Sequence, residues 1–487
     1  MHIVCSGYRD PLDQNFRDES ASVVKRAQKS YKTASHGAVT LKTCTPEVHS
    51  DSNYADSRDG TTLELRQRHS MSSPNVLFGL PQSVEKVALA YFMSAYIPGS
   101  HYEYLPFMYR QPETEILSAT VRATSIASLA RETGQTSLTE MARRSYAKAL
   151  LETNATLANT ATTTNDTTLI SVLLLSLFEA IAWSSPRPPQ SWTTHTQGAL
   201  ALIRIRGSQQ FKTLIGRQLF VQVTNIICIN SIQQRKRLPP DLVDLIKLAE
   251  QTDEGALKYK LAFLTSDVSN LLSDIDEGVM TREEVIRATQ SLDAQYVSFC
   301  ESFPPAWKYQ KIRLEKSRPE VYGTIIHRYS SQRIAQLWNS CRMTRILLNE
   351  IIHAHALHVP SQYGTPIRTL AAHNLQNMAT DICASIPQLI DPSIVPILPD
   401  SRMNSPFAPF TESILESTSP KAVAASLLWP LSATRSASLA SEDVRAYAVQ
   451  QLNSLGREFR LPQTENITIG HCEFDALQDG LHMFYVS

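Results

Sequence analysis

The stretch DTTLISVLLLSLFEAIAW, residues 166–183, decides the fold. Its apolar residues cover every side of a helix and are interrupted only by small residues and by Glu179. A helix that is apolar all round lies in the core of a large protein or crosses a membrane. The apolar run from Leu169 to Trp183 contains a carboxylate and is shorter than the ~20 residues that a membrane span needs. It therefore predicts the central helix of a large helical domain and no membrane association.

Apolar residues recur at helical spacing on both sides of this stretch. The spacing predicts further helices over 83–97, 115–132, 138–157, 194–207, 216–237, 240–251, 256–273, 281–301, 322–357, 366–388, 420–429 and 440–458. No strand-like alternation competes with this pattern, and the spacing of βαβ units is absent. The predicted fold class is all-α, a large multi-helix domain.

Several residues predict where these helices begin and end. Thr194 is a predicted N-cap, and Gly207 is predicted to end its helix with a positive φ. Gly216 is predicted to take a positive φ in the turn before the next helix, and Trp429 before Pro430 is predicted to end an apolar helix.

The first 75 residues differ in composition from the rest. Residues 1–32 are charged and mildly basic, with a predicted short exposed helix from Phe16 to Tyr31, whereas residues 33–75 have few apolar anchors and are predicted to be a flexible linker. Residues 76–487 form the predicted all-α domain. Arg9, Arg17, Lys25 and Arg26 in the first segment are the candidate contacts to DNA phosphates, and their binding would be weak and salt-sensitive.

The amino-acid composition disfavours several classes of binding site. Lys plus Arg and Asp plus Glu both number 46, so no global positive charge favours nucleic acid or anionic membranes. The 16 glycines are about half of what average usage predicts, which disfavours glycine-rich nucleotide loops. The seven cysteines form no Cys-x-x-Cys motif, so the thiols are predicted to be free and no cofactor is predicted within this chain.

Enzyme signatures are absent from the sequence. No Gly-x-Ser-x-Gly elbow, phosphate loop, His-Glu-x-x-His motif or dinucleotide fingerprint occurs. An all-α synthase that binds a metal diphosphate would need clustered carboxylates, and the nearest patterns are Asp241-x-x-Asp244 and Asp274-x-Asp276-Glu277. Acidic residues also favour a helix N-terminus, which suits the first pattern, and the second is typical of a loop. We therefore predict that the protein is not an enzyme.

Three further clusters each have a structural and a functional interpretation. His353, His355 and His358 suit the polar end of a helix better than a zinc site, because His353 cannot share a face with both others. The short basic run 235–237 is typical of a solvated helix end, with a weak nuclear import signal as the alternative. The aromatic residues of 91–109 favour core packing over a ligand pocket.

The N-terminal sequence resembles a known family. Cys5 is followed by SGYRD and then by LDQNFRDESASVVKRAQK. This run is similar to the segment after the sixth cysteine in fungal transcription factors with a binuclear zinc cluster. The resemblance implies that Cys5 is the last ligand of such a cluster and that residues 16–32 form the linker helix beyond it.

The resemblance continues through most of the chain. SWTTHTQGALALIRIRGSQQFKTLIGRQLF (191–220) is its most specific part, and ASLLWPLSATRSAS (425–438) resembles the family's C-terminal helices. The family positions in the first motif are His195, Gly198, Ala199, Leu202, Arg206, Gly207, Phe211, Gly216, Arg217 and Phe220.

One departure from the family matters for function. Two zinc ions require six thiolates, and Cys5 alone cannot build that cluster, so zinc is expected only with an upstream cysteine module. The resemblance implies a nuclear regulator of RNA polymerase II genes. The genes of a specialised-metabolite cluster are one candidate set of targets. The implied partners are DNA through the upstream module, the transcription machinery and, as an open alternative, a second copy of the chain. The alternative function is a helical regulator that binds partners but no DNA.

Overall fold

The computed structural model describes residues 82–111, 114–182, 189–252, 257–395 and 419–461. The chain divides into two units, residues 1–86 and 87–487. Because only residues 82–86 of the first unit are described, the architecture below is that of the second. The predicted boundaries at residues 32 and 75 lie outside the described residues.

Helices dominate the described ranges, which confirms the all-α fold class. Fifteen α-helices occur in these ranges: α1 Val84–Ala95, α2 Leu105–Tyr109, α3 Glu115–Thr133, α4 Thr136–Ala158, α5 Thr160–Thr163, α6 Asp166–Ala182, α7 Pro189–Arg206, α8 Leu214–Gln234, α9 Pro240–Thr252, α10 Leu257–Asp276, α11 Arg282–Glu301, α12 Gln332–Ala356, α13 Ser361–Ile390, α14 Pro420–Ser436 and α15 Glu442–Phe459. Short 3₁₀ helices occur at Gly207–Lys212, Pro305–Trp307 and Pro392–Ile394.

Helix α6 is the centre of the largest hydrophobic core, as its sequence predicts. Fourteen of its seventeen residues are buried, and the helix contacts α3, α4, α7 and α8. Small hydroxyl residues bring α3 close to it. The Thr124 hydroxyl donates to the Leu174 carbonyl over 3.2 Å, and the Thr120 hydroxyl donates to the Ser171 hydroxyl over 3.2 Å. Hydrogen bonds from the threonines of α3 therefore hold α3 and α6 together.

A second core lies between α10, α11 and α12. It includes Leu272 of α10, Tyr296 and Phe299 of α11, and Leu348 of α12. Because α12 also contributes Ile334 and Ile346 to the main core, it joins the two. The apolar residues of α12 are thus divided between two cores, with Ile334 in one and Cys341 and Leu348 in the other.

The predicted helix over 322–357 is wrong in its first part. β1 Gln310–Arg313 and β2 Ile325–Arg328 form an antiparallel hairpin, with Gln310 opposite Arg328 and Arg313 opposite Ile325. Gly323 has a φ of +66° just before β2, and the Ser331 side chain caps α12 by accepting from the Ile334 N–H over 3.3 Å. These two residues exclude one continuous helix.

Three helix boundaries also differ from the sequence predictions. Thr194 lies inside α7, which begins at Pro189, so Thr194 is not its N-cap. A proline is tolerated in a first helical turn because no backbone N–H is needed there. Helix α14 continues through Pro430 to Ser436, so Trp429 does not end it. Helix α13 begins at Ser361 and contains Pro366.

Candidate functional site

The motif predicted to be most specific forms the corner between α7 and α8. Gly207 has a φ of +52° at the end of α7, which confirms its predicted conformation. Arg217 of α8 donates to the Phe211 carbonyl over 2.7 Å. The rings of Phe211 and Phe220 meet edge to face at 4.9 Å. These residues therefore fix the angle between two helices.

The prediction for Gly216 is wrong in its mechanism. Gly216 lies in the first turn of α8, where its N–H donates to the Thr213 hydroxyl that caps the helix. Its φ is not positive. A Cβ at this position would lie 2.1 Å from the Gln210 carbonyl oxygen. Glycine is required here by the close approach of two backbone segments.

Two buried charged residues, Glu179 and Arg206, connect this corner to α6. The Glu179 carboxylate of α6 accepts from the Tyr146 hydroxyl at 2.5 Å and lies 3.0 Å from His195 Nε2 of α7. Arg206 forms an ion pair with Asp166 at the start of α6. The pairing offsets the cost of burying these groups. We interpret the motif residues as a scaffold that fixes α7 against α6.

A cavity of about 90 Å³ opens between α8, α10, α12 and α14. Its apolar wall includes Cys228 and Ile229 of α8, Leu261 of α10 and Trp429 of α14. Burial raises the pKa of the Cys228 thiol to about 12, so the thiol is protonated at neutral pH. Of the two helices that form the α7–α8 corner, only α8 lines this cavity.

Four polar side chains also face the cavity: Asn225, Thr265, Ser340 and Thr344. Thr265 and Thr344 donate their hydroxyl hydrogens to carbonyls one helical turn earlier, at 2.8 and 3.2 Å. Thirteen residues of the described ranges line the cavity, and none of them carries a formal charge. The cavity is therefore suited to an uncharged occupant with hydrogen-bonding capacity.

A buried polar cluster fixes the hairpin against α12 and α13. Arg342, 2 % exposed, donates to the Tyr329 hydroxyl over 2.7 Å and to the Asn339 side chain over 2.8 Å. Its guanidinium lies 4.9 Å from the centre of the Tyr309 ring. His327 is fully buried beside this guanidinium, and burial lowers its pKa to about 2. The cluster is a structural core of paired polar groups.

The carboxylates that a synthase would need for metal binding are paired with basic side chains instead. Asp241 lies at the start of α9 and binds Arg204 of α7, which lowers the pKa of that carboxyl. Asp274 and Asp276 lie in the last turn of α10, which corrects their predicted loop, and they bind Arg237 and Arg235. Each pair connects different segments of the chain.

His353 and His355 of the HAHALH run lie in the last turn of α12, at the predicted helix end, and His358 lies in the turn that follows it. Burial lowers the pKa of both His353 and His355. Across the described ranges, no group of three or more His, Cys, Asp or Glu side chains is arranged to hold a metal ion. None of the described helices is both long and apolar enough to span a bilayer.

Four aromatic residues of 91–109 pack in the core, as predicted, whereas Phe107 is exposed: the buried ones are Phe92, Tyr96, Tyr102 and Tyr104. The Tyr102 hydroxyl donates to the Leu173 carbonyl over 3.1 Å, and the Tyr104 hydroxyl donates to the Gln222 side chain over 2.9 Å. Both tyrosines are buried. They join the first helices to α6 and α8.

The candidate residues for zinc and phosphate contact lie outside the described residues. These are Cys5, Arg9, Arg17, Lys25 and Arg26. Their assignment remains a prediction from the sequence.

Comparison with known proteins gives one match. Residues 89–235 match the family model of the fungal specific transcription factor domain. The matched segment runs from α1 to the residue that ends α8, so it contains α6 and the α7–α8 corner. No curated protein and no solved structure matches the chain. The matched family is a transcription factor domain and not a class of enzyme.

Sequence reasoning missed the cavity. Its walls come from four helices spread over more than two hundred residues, from Asn225 to Ala433, and no short motif marks them. The only sequence signal is a set of small or polar residues on otherwise apolar helix faces, such as Thr265 and Ser340.

Proposed function

We propose that the protein is a nuclear transcriptional regulator of RNA polymerase II genes. The observation that carries this proposal is the match of residues 89–235 to the fungal specific transcription factor domain. The matched residues build the central core around α6 and the rigid α7–α8 corner. In this proposal the helical body transmits regulation to the transcription machinery, and a gene set such as a specialised-metabolite cluster is its target.

DNA reading is assigned in this proposal to a zinc cluster upstream of residue 5. Cys5 would be its last ligand, by resemblance to the family. Base reading requires side chains held rigidly in a groove, whereas phosphate contacts alone carry no sequence information. Arg9, Arg17, Lys25 and Arg26 would therefore add weak phosphate contacts and no specificity.

A tethered reporter assay tests the regulatory role directly. Residues 76–487 are fused to an unrelated DNA-binding domain and expressed with a reporter gene that carries its sites. We expect the fusion to raise or lower transcription relative to the DNA-binding domain alone. Leu174, fully buried at the centre of α6, supplies the control. A Leu174→Asp fusion buries an unpaired charge and should lose the effect.

The reporter assay has a clear negative outcome. If the fusion is folded and nuclear and transcription matches that of the DNA-binding domain alone, the helical body has no regulatory activity of its own. The proposal would then be wrong for residues 76–487.

Selection from a random oligonucleotide pool tests the DNA-reading part. The 487-residue chain is compared, at physiological salt, with a chain extended by the codons upstream of Met1. Enrichment of a defined motif by the extended chain alone supports the upstream zinc cluster. Enrichment of the same motif by the 487-residue chain would contradict it.

A further inference from the structure

We propose that the cavity between α8, α10, α12 and α14 binds a small uncharged molecule with one apolar ring and a hydroxyl group. This inference goes beyond the regulatory role and does not depend on it, because the cavity and its chemistry are properties of the helical body alone. Nothing in the family match assigns a ligand to these helices.

The size of the cavity limits the ligand to about one ring. Its volume of about 90 Å³ is smaller than the roughly 150 Å³ of an engineered apolar cavity that takes up benzene, so a ring fits only if part of the ligand extends beyond the enclosed space. A ligand that projects towards the surface gains further room, because several wall residues, Asn225 and Met343 among them, are only partly buried. A nucleotide or a steroid would not fit.

The charge of the wall excludes ions. All wall residues are neutral at pH 7, including the Cys228 thiol with its raised pKa. A carboxylate, phosphate or ammonium group would lose its hydration without gaining a partner, which costs far more than the burial of one ring provides. The occupant must therefore be uncharged.

The polar groups of the wall favour a hydroxyl group on the ligand. Thr265 and Thr344 already donate within their own helices and also lie beside the buried Tyr296 hydroxyl, so towards a ligand they can act only as acceptors, in competition with Tyr296. The Asn225 amide and the Ser340 hydroxyl make no hydrogen bond to another side chain or to the backbone within the described ranges. They offer both donors and acceptors to an occupant. An alcohol can satisfy both sets at once, which a hydrocarbon cannot.

The cavity also joins the matched and unmatched parts of the chain. Helix α8 ends the segment that matches the family model, whereas α10, α12 and α14 follow it. Trp429 and Ala433 line the cavity from α14 on either side of Pro430, whose missing N–H interrupts the backbone hydrogen bonds of that helix. A bound ligand would therefore stabilise the packing of α14 on α8.

Binding is tested with three probes built on one ring: cyclohexanol, methylcyclohexane and cyclohexanecarboxylate. The 487-residue chain is labelled with ¹³C in its methionine methyl groups, and the Met343 signal, assigned by its loss in Met343→Leu, reports on the cavity wall. We expect cyclohexanol to shift this signal saturably and to raise the melting temperature. Methylcyclohexane should bind more weakly, and cyclohexanecarboxylate should leave the signal unchanged.

Two variants with matched controls locate the effect. Ala433→Leu fills the cavity and should weaken cyclohexanol binding at least tenfold, whereas Ala354→Leu, exposed on α12, should leave it unchanged. Asn225→Leu removes a hydrogen-bonding group from the wall and should abolish the preference for the alcohol over the hydrocarbon. Gln218→Leu, exposed on α8, should keep that preference.

Several results would overturn the proposal. No shift of Met343 up to the solubility of cyclohexanol, an equal shift with the carboxylate, or full binding by Ala433→Leu would each do so. If Ala433→Leu does not fold, the Met343 signal and the Asn225→Leu comparison still decide the question.

Discussion

Replacing each of three glycines of the α7–α8 corner with alanine should change the stability of the fold in different directions. Gly198 lies exposed inside α7, and an added Cβ would have Val172 Cγ1 at 4.0 Å as its nearest neighbour. Gly207 has a φ of +52°, with open space around it. At Gly216 the added Cβ would lie 2.1 Å from a backbone oxygen. The same substitution therefore meets three different physical situations.

The magnitudes follow from these contacts. Gly198→Ala should stabilise the fold by about 0.5–1 kcal/mol, because glycine inside a helix loses more conformational entropy on folding. Gly207→Ala should cost about 1–2 kcal/mol for a left-handed conformation. Gly216→Ala must separate α8 from the 3₁₀ helix that holds Gln210. Overpacking of about 1–3 kcal/mol and a weakened Thr213 cap of about 1 kcal/mol should exceed the gain in helix propensity.

Urea unfolding followed by far-UV circular dichroism measures all three variants. We expect the unfolding midpoint to rise for Gly198→Ala and to fall for the other two, with the largest loss for Gly216→Ala. If Gly216→Ala is as stable as the unchanged protein, the close approach of the two backbones is wrong. A loss of stability in Gly198→Ala would contradict the exposed helical position.

Three other substitutions or reactions test the remaining parts of the structure. Arg342→Ala should lower the free energy of unfolding by about 3 kcal/mol or more, since it removes two buried hydrogen bonds from a charged group, each worth about 1.5–3 kcal/mol. Arg287→Ala at an exposed site should change it by less than about 0.5 kcal/mol. His327 has a pKa of about 2 when folded, below that of the unfolded chain, so the unfolded state binds more protons below about pH 6.5. Stability should therefore fall as the pH is lowered from about 6.5, by up to about 1.4 kcal/mol per pH unit from this residue, and His327→Phe should remove that part of the slope. Iodoacetamide at pH 7.5 should modify Cys300 before Cys228 in the folded protein. The Cys341 thiol and nearby cations lower the pKa of Cys300, whereas burial raises the pKa of Cys228. Peptide mapping by mass spectrometry measures this order.

Each of these three has a result that would contradict it. Equal losses for the two arginine variants would mean that the buried cluster contributes nothing. An unchanged pH slope in His327→Phe would mean that His327 is not buried in its neutral form. Faster modification of Cys228 than of Cys300 would contradict the charge distribution around the two thiols.

The central part of the fold could be predicted from the sequence. The stretch 166–183 is apolar on all sides, and only burial at the centre of a helical body satisfies that pattern. Gly207 was likewise predictable, because a glycine after a periodic segment commonly ends a helix in the left-handed conformation. Both predictions rest on local chemistry that does not depend on the rest of the chain.

The errors came from residues whose role depends on tertiary contacts. Ile325 and Ile326 suit a helix stripe and a strand equally well, and their pairing with Arg313 and Ile312 decides for the strand. Pro430 breaks an isolated helix, yet α14 is buried along most of its length and its packing maintains the helix through the proline. Gly216 is needed because of a neighbouring backbone, which no local pattern reveals.

The cavity is harder to predict from the sequence than any single helix. Its polar residues, such as Asn225 and Thr344, are unremarkable members of helices when considered one at a time. Only the packing of α8, α10, α12 and α14 brings them to one wall. The cavity was found only from the structure, whereas the phosphate contacts are predicted only from the sequence.

Promoter occupancy together with transcript levels, measured on the natural full-length protein, tests the regulatory role most directly. The protein is tagged at its own locus, its DNA is recovered by chromatin immunoprecipitation, and RNA is sequenced before and after its depletion. We predict enrichment at a limited set of promoters and changed transcript levels of the genes next to them. A protein that is present in the cell but enriched at no promoter, with transcript levels unchanged on depletion, would contradict its proposed role as a transcriptional regulator.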